Sequence, residues 1–318
     1  MSVAKTSDGA VGAAPVSEGR PVADGPAATL EDCRKLIAAG RVRESLAALE
    51  TLLAADPESG PVLHHYAVAL HLSGRSEEAM PYFDHALEHE PGQANIHQNR
   101  SIALLALGRT EEAIASAREA VRLRPGNPGG YVNLVLAECR AGRYADAWET
   151  VSKGLEAAPD HPGLLNQAAH IATEARNFSL AGSFVERALA VAPDNPEAVY
   201  NSGVLHQARS RYEDALRAYD RTLALQPGHQ GAFVNRGVVL RHLGRIGEAV
   251  AQFRKGLAQA PDWPVLRYNL ALTELLVGRW ERAWPDFELR MRLSGALDRS
   301  PRPDSPVWDG GDIAGRTL

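Results

Sequence analysis

A column of polar side chains runs through this 318-residue sequence at a fixed step of 34 residues. All seven members can form hydrogen bonds: His65, Asn99, Asn133, Gln167, Asn201, Asn235 and Asn269. A side-chain amide offers both a donor and an acceptor, which is what the backbone of an extended peptide needs whatever its side chains are. The column is therefore the candidate peptide-binding site, and its regular spacing indicates internal repeats.

Six of the eleven histidines lie between positions 64 and 97. Two of them, His85 and His89, are four residues apart on a predicted helix, close enough to share a metal ion. No cysteine or carboxylate stands at a matching metal-binding spacing. We therefore expect solvated histidines here and no metal site.

The sequence lacks the signatures of catalysis. It has no glycine-rich phosphate-binding loop, no G-x-S-x-G and no carboxylate pair placed for acid–base work, so we expect no catalytic residue and no cofactor. The formal net charge of -5, without a basic stripe, argues against a nucleic-acid partner. No run approaches 18 apolar residues and no secretory signal is visible, so we expect a cytoplasmic protein without a membrane partner.

Two further columns with the same step define the elements that position the amides. The first contains only prolines, namely Pro57, Pro91, Pro125, Pro159, Pro193, Pro227 and Pro261. The second contains only alanines, namely Ala79, Ala113, Ala147, Ala181, Ala215, Ala249 and Ala283. A methyl group at each crossing allows two helices to approach closely, and a proline ends the second helix. Each repeat is therefore predicted to be helix, turn, helix, turn.

These columns resemble the tetratricopeptide repeat family, whose 34-residue pattern includes A-x3-F and a later proline. Ala79 with Phe83, and Ala249 with Phe253, carry that pair. Eight units match, near residues 26–59, 60–93, 94–127, 128–161, 162–195, 196–229, 230–263 and 264–297. The resemblance implies an all-α, right-handed superhelical solenoid over residues 28–297. It also implies a protein-interaction scaffold that binds proteins or peptides and is not itself an enzyme.

In this family the first helix of each repeat lines the concave face, so the amide column would form a ladder along a groove. The repeats of O-linked N-acetylglucosamine transferases have a similar asparagine ladder that contacts peptide backbone. That resemblance assigns the same role to Asn99, Asn133, Asn201, Asn235 and Asn269, whereas His65 and Gln167 depart from it. Two alternatives stay open: a solvated helix face, or hydrogen bonds between adjacent repeats.

The two ends of the chain differ from the repeats. We expect residues 1–27 to be a disordered leader because they lack periodicity. Residues 298–318 are expected to be a linker or the start of a truncated C-terminal domain. Their W-x-G-x4-G-R-T-L stretch resembles the junction of bacterial repeat proteins that carry a glycosyltransferase-like domain, and it is formed by Trp308, Gly310, Gly315, Arg316, Thr317 and Leu318.

This junction implies an alternative function, in which the repeats recruit substrate for a larger O-linked glycosyltransferase-like enzyme. A third hypothesis is self-association, because an open-ended solenoid can stack on copies of itself. Near the last repeat, Trp280 and Trp284 are four residues apart. We expect them to be core residues, the alternative being a docking patch for another domain.

Overall fold

The structure is a computed structural model that describes residues 29–289. All regular elements in this range are α-helices, sixteen in number, so the all-α prediction is confirmed. None of the described helices is long and apolar enough to cross a membrane. The predictions made for residues 1–27 and for residues 298–318, including the tail motif, lie outside the described residues.

The chain forms two compact units, and the first extends to His89. Its helices are α1 Leu30–Ala38, α2 Val42–Ala55, α3 Gly60–Leu72 and α4 Ser76–His89. Each helix packs against the next one along the chain. Leu49, Leu63 and Phe83 are at most 2% exposed and form the centre of this unit's core.

The second unit begins at Glu90 and continues the same alternation of helices. The helices are α5 Ala94–Ala106, α6 Thr110–Leu123, α7 Pro128–Arg140, α8 Tyr144–Ala157, α9 Pro162–Glu174, α10 Phe178–Val191, α11 Pro196–Ala208, α12 Tyr212–Leu225, α13 Gln230–His242, α14 Ile246–Gln259, α15 Pro264–Leu276 and α16 Trp280–Phe287. Tyr219 and Phe253 are fully buried in its core.

The turn between the two helices of a pair requires a left-handed residue. Gly142, between α7 and α8, has φ +74°, a conformation that glycine adopts without steric cost. Arg176 and Ser210 take the same place in later pairs with φ 57°. Those two turns therefore carry backbone strain that the glycine turns avoid.

The alanine column lies where the two helices of each pair meet. All seven alanines are at most 1% exposed. The opposing position on two first helices is glycine, and a Cβ on Gly237 would lie 2.4 Å from the Phe253 ring. Small residues therefore allow the buried aromatic ring to sit directly against the neighbouring helix.

The expectation that the paired tryptophans are core residues is wrong. Trp280 is 61% exposed and Trp284 is 53% exposed, and Ala283 is the buried residue of α16. Phe287 of the same helix packs beside Trp284, with ring centroids 5.7 Å apart. An array buries each helix by adding the next one, and the described range contains no helix after α16 that would pack on this face.

Candidate functional site

The first helices of the second unit form one continuous row. Neighbours in this row, from α5 through α7, α9, α11 and α13 to α15, contact each other directly. The second helices instead pack mainly against the first helices on either side of them. Side chains at one register position of the first helices therefore lie side by side along a single surface, as the 34-residue spacing predicted.

Three amides of the column bind to the neighbouring first helix. The Nδ2 of Asn133 donates to the Gln98 carbonyl at 3.3 Å, and the Nδ2 of Asn201 donates to the Asn166 carbonyl at 3.2 Å. The Nδ2 of Asn235 donates to the Tyr200 hydroxyl at 3.1 Å. These three residues therefore form hydrogen bonds between adjacent repeats, which was one of the two alternatives left open by the sequence.

The solvated-face alternative fails for part of the column. Asn133 is 9% exposed and Asn269 is 8% exposed. Asn269 also uses both ends of its amide, because Nδ2 donates to the Val265 carbonyl at 2.9 Å and Oδ1 accepts from Arg241 at 3.4 Å. Asn99, Gln167, Asn201 and Asn235 are half-buried.

We call these hydrogen bonds between neighbouring first helices lateral bonds. They do not use all of the donors and acceptors of the three amides. A primary amide has two N–H donors and one carbonyl acceptor, and each lateral bond uses one donor. The Nδ2 of Asn235 also donates to the Tyr219 hydroxyl at 3.5 Å, so Asn235 keeps only its Oδ1 acceptor, whereas Asn201 keeps one N–H and its Oδ1. Both residues are half-buried, so these groups retain partial access to solvent. The lateral bonds orient these side chains and leave hydrogen-bonding capacity for a ligand.

His65 of the first unit bonds to its own helix, unlike Asn133, Asn201 and Asn235. Its Nδ1 lies 2.7 Å from the Pro61 carbonyl in the same helix, and its ring centroid is 5.0 Å from that of His64. Burial is the main cause that lowers the pKa of His65, and burial lowers the pKa of His64 from 6.5 to about 4. Both rings are therefore neutral at pH 7.

A second row, which we call the apolar row, lies one helical turn beyond the amides and was missed from the sequence. It repeats at the same 34-residue step, with His170 interrupting it. Its members in the second unit are Ile102, Leu136, Val204, Val238 and Leu272. Ile102 is 38% exposed and Leu136 is 41% exposed, so large apolar side chains face solvent here. The signal is in the sequence, because these apolar residues recur at the same 34-residue step as the amide, proline and alanine columns.

A cavity of about 480 Å³ joins the two rows. Val204 of the apolar row and Asn235 of the amide column both line it, together with Glu174, Gln207 and His242. These residues come from three successive first helices, α9, α11 and α13. The cavity therefore offers a carboxylate, two amides, an imidazole and an apolar wall in one place.

An adjacent cavity of about 700 Å³ is more apolar. Tyr144, Trp148, Ile171 and Leu180 line it, and it shares Glu174 with the first cavity. Trp148 is 37% exposed and Tyr144 is 40% exposed. Partly exposed aromatic rings beside a carboxylate are a surface that can accept apolar and basic side chains.

The histidine pair of the first unit has a carboxylate partner that the sequence did not indicate. Glu58, in the turn before α3, lies beside both His85 and His89 of α4. It is 27 residues from His85 along the chain, so no local spacing reveals it. Glu58 thus adds a carboxylate to the histidine pair, which the spacing in the sequence did not predict.

Two sequence profiles described as tetratricopeptide repeat match the chain, one at residues 36–102 and 104–169 and the other at residues 202–264. Together these ranges cover more than half of the sequence. No curated protein matches it.

Solved structures of low sequence identity share the fold. A tetratricopeptide repeat protein from Parabacteroides merdae is 16% identical with a TM-score of 0.65, over 77% of this chain and 96% of that chain. TTC0263 from Thermus thermophilus is 22% identical with a TM-score of 0.51, over 57% of this chain and 99% of that chain.

The Cut9–Hcn1 hetero-tetramer of the APC/C is 16% identical with a TM-score of 0.66, over 86% of this chain and 53% of that chain. This chain thus spans about half the length of the matched chain. At these identities the structures establish the fold alone. The profile matches and the consecutive helix pairs show that the chain belongs to the tetratricopeptide repeat family.

Proposed function

We propose that this chain is a protein-interaction scaffold that binds an extended peptide along the first helices of its second unit. The observation that carries the proposal is the shared surface of the two rows, with Val204 and Asn235 lining one cavity. Such a surface offers hydrogen bonds to a peptide backbone and apolar contacts to its side chains.

The spacing of the rows fits an extended chain. Packed helices lie about 10 Å apart, and an extended peptide advances about 3.3 Å per residue. One amide and one apolar side chain would therefore meet roughly every third residue of the peptide. We expect a preference for apolar side chains at that interval, with little selectivity between them.

The lateral hydrogen bonds favour this role because they hold the amides in place before a peptide arrives. A preorganised donor loses less conformational entropy on binding than a free side chain. Each hydrogen bond to the peptide contributes about 0.5–1.5 kcal/mol net, and ordering the peptide offsets part of the gain. The proposal is therefore one of weak, sequence-tolerant binding.

The test compares three proteins against a library of extended peptides. The first is the wild type, and the second has Asn133, Asn201 and Asn235 changed to alanine. The control has three exposed residues of second helices, Glu156, Glu186 and Lys255, changed to alanine. Circular dichroism at the assay temperature first checks that all three proteins are fully helical there, because the asparagine variant also loses bonds between repeats and should melt at a lower temperature.

We expect the asparagine variant to lose about 10- to 100-fold in affinity across unrelated peptides, from two to three lost hydrogen bonds. The control should bind like the wild type. Equal binding by all three proteins would reject the proposal. A loss confined to one peptide sequence would indicate side-chain recognition instead of backbone recognition.

The second candidate function is substrate recruitment for a glycosyltransferase-like domain. It rests on the tail motif that includes Trp308, Gly310 and Arg316, outside the described residues. The test is the reading frame of the gene after the codon for Leu318. Continuation into alternating strand and helix patterns supports this function, and a stop codon removes it.

A further inference from the structure

We propose that Glu58, His85 and His89 form a binding site for a zinc ion in the first unit. The Glu58 Oε2 atom lies 2.8 Å from the His89 Nε2 and 3.3 Å from the His85 Nε2. Their ligand atoms all lie within 4.8 Å of one another. The three side chains thus converge on one point between the turn before α3 and the end of α4.

The geometry is close to that of a tetrahedral zinc site. Zinc bonds nitrogen and oxygen at about 2.0–2.1 Å, so two ligands of one ion lie about 3.3 Å apart. The Glu58–His85 separation of 3.3 Å already has this value, the Glu58–His89 separation of 2.8 Å is shorter, and no two of the three ligand atoms are more than 4.8 Å apart. His85 and His89 are one turn apart on α4, with ring centroids 5.0 Å apart.

The donor set favours zinc over the hard cations. Two imidazole nitrogens and one carboxylate oxygen suit zinc and its neighbours in the first transition row, whereas calcium and magnesium prefer oxygen alone. Three protein ligands leave the fourth position of a tetrahedral ion for water. Solvent reaches the site, because the side chains of His85 and Glu58 are 36% and 67% exposed.

A bound ion would connect two parts of the first unit that are distant in sequence. Glu58 lies in the turn between α2 and α3, and both histidines lie in the last half of α4. The ion would therefore link the turn that precedes α3 to the end of α4, the two ends of the α3–α4 hairpin. Without an ion, one Glu58 carboxylate is the shared partner of two imidazole nitrogens.

The test is calorimetric titration of the untagged full-length chain with zinc chloride, and with magnesium chloride as the control ion. We expect one zinc ion per chain and no magnesium binding. Each of Glu58→Gln, His85→Gln and His89→Gln should weaken zinc binding more than about tenfold, since each removes one of three ligands. The matched control, His97→Gln, removes a histidine outside the cluster and should bind zinc like the wild type.

A second measurement does not depend on how the variants fold. In the wild type, nitrogen-15 spectra of the histidine side chains should show zinc shifting the Nε2 resonances of His85 and His89 and no other ring. Zinc binding that survives in all three cluster variants would overturn the proposal. A zinc response spread over other histidines, or the absence of any zinc binding, would overturn it as well.

Discussion

The two units carry different side chains on the same 34-residue frame. In the first unit the column position is His65, whose ring bonds to Pro61 of its own helix. In the second unit Asn133 and Asn201 at the same position bond to the neighbouring first helix. The 34-residue frame sets where a side chain lies but not which group it bonds to, because Asn269 of the second unit also bonds to its own helix, at the Val265 carbonyl.

The largest expected effect tests what the two units share. Phe83 and Phe253 occupy the same register position and are both fully buried. Phe83→Ala and Phe253→Ala should each lower the free energy of unfolding by about 3–5 kcal/mol, through lost contacts and a cavity. Hydrogen exchange resolved by helix is the measurement, because each repeat contacts only its neighbours.

Each substitution should raise the hydrogen-exchange rate most in the helices of its own unit. A uniform loss of protection over all sixteen described helices, whichever phenylalanine is changed, would show that the array unfolds as a single body. The stability of one repeat could then not be altered independently of the others.

A smaller effect on stability is expected at the first-helix position that packs against the phenylalanine ring, where the two units have different residues. The first unit has Ala67, fully buried, where the second has Gly237. A Cβ on Gly237 would lie 2.4 Å from the Phe253 ring, so Gly237→Ala should destabilise the second unit by about 1–3 kcal/mol. Chemical denaturation followed by circular dichroism measures this, with Gly247→Ala in open space as the control. Equal stability of the two variants would contradict the close packing.

The sequence predicted the fold more fully than the site. The periodic alanines and prolines act locally, so the helix pairs could be derived from their spacing alone. The partner of Asn235 is Tyr200, 35 residues away, and that contact depends on the tilt between neighbouring helices. The approach of Glu58 to α4 likewise depends on how a turn and a hairpin fold back together. The exposure of Trp280 could not be derived, because it depends on which helices surround it.

The lateral hydrogen bonds give the next prediction. Asn133→Ala and Asn201→Ala should each cost about 0.5–1.5 kcal/mol of stability in the second unit. His65→Ala removes a contact within one helix and should leave the exchange of neighbouring helices unchanged. Helix-resolved hydrogen exchange distinguishes the cases, since loss of a lateral bond should raise exchange in both helices it joins. Protection lost only in the mutated helix would mean that the bond does not couple repeats.

The last prediction concerns a difference in acid sensitivity between the two units. Burial beside His65 and Arg34 lowers the pKa of His64 to about 4, from 6.5. Between these two values the unfolded chain binds a proton that the folded chain does not, so stability of the first unit falls as pH falls from 6.5 towards 4. Changing His64 to glutamine should reduce this pH dependence in the first unit and leave that of the second unit unchanged. Helix-resolved exchange at pH 7 and pH 5 tests it, after correction for the intrinsic effect of pH on exchange. The first unit of the variant could instead lose as much stability between pH 7 and pH 5 as that of the wild type. The acid sensitivity would then come from other groups, and His64 would not be the residue that distinguishes the two units.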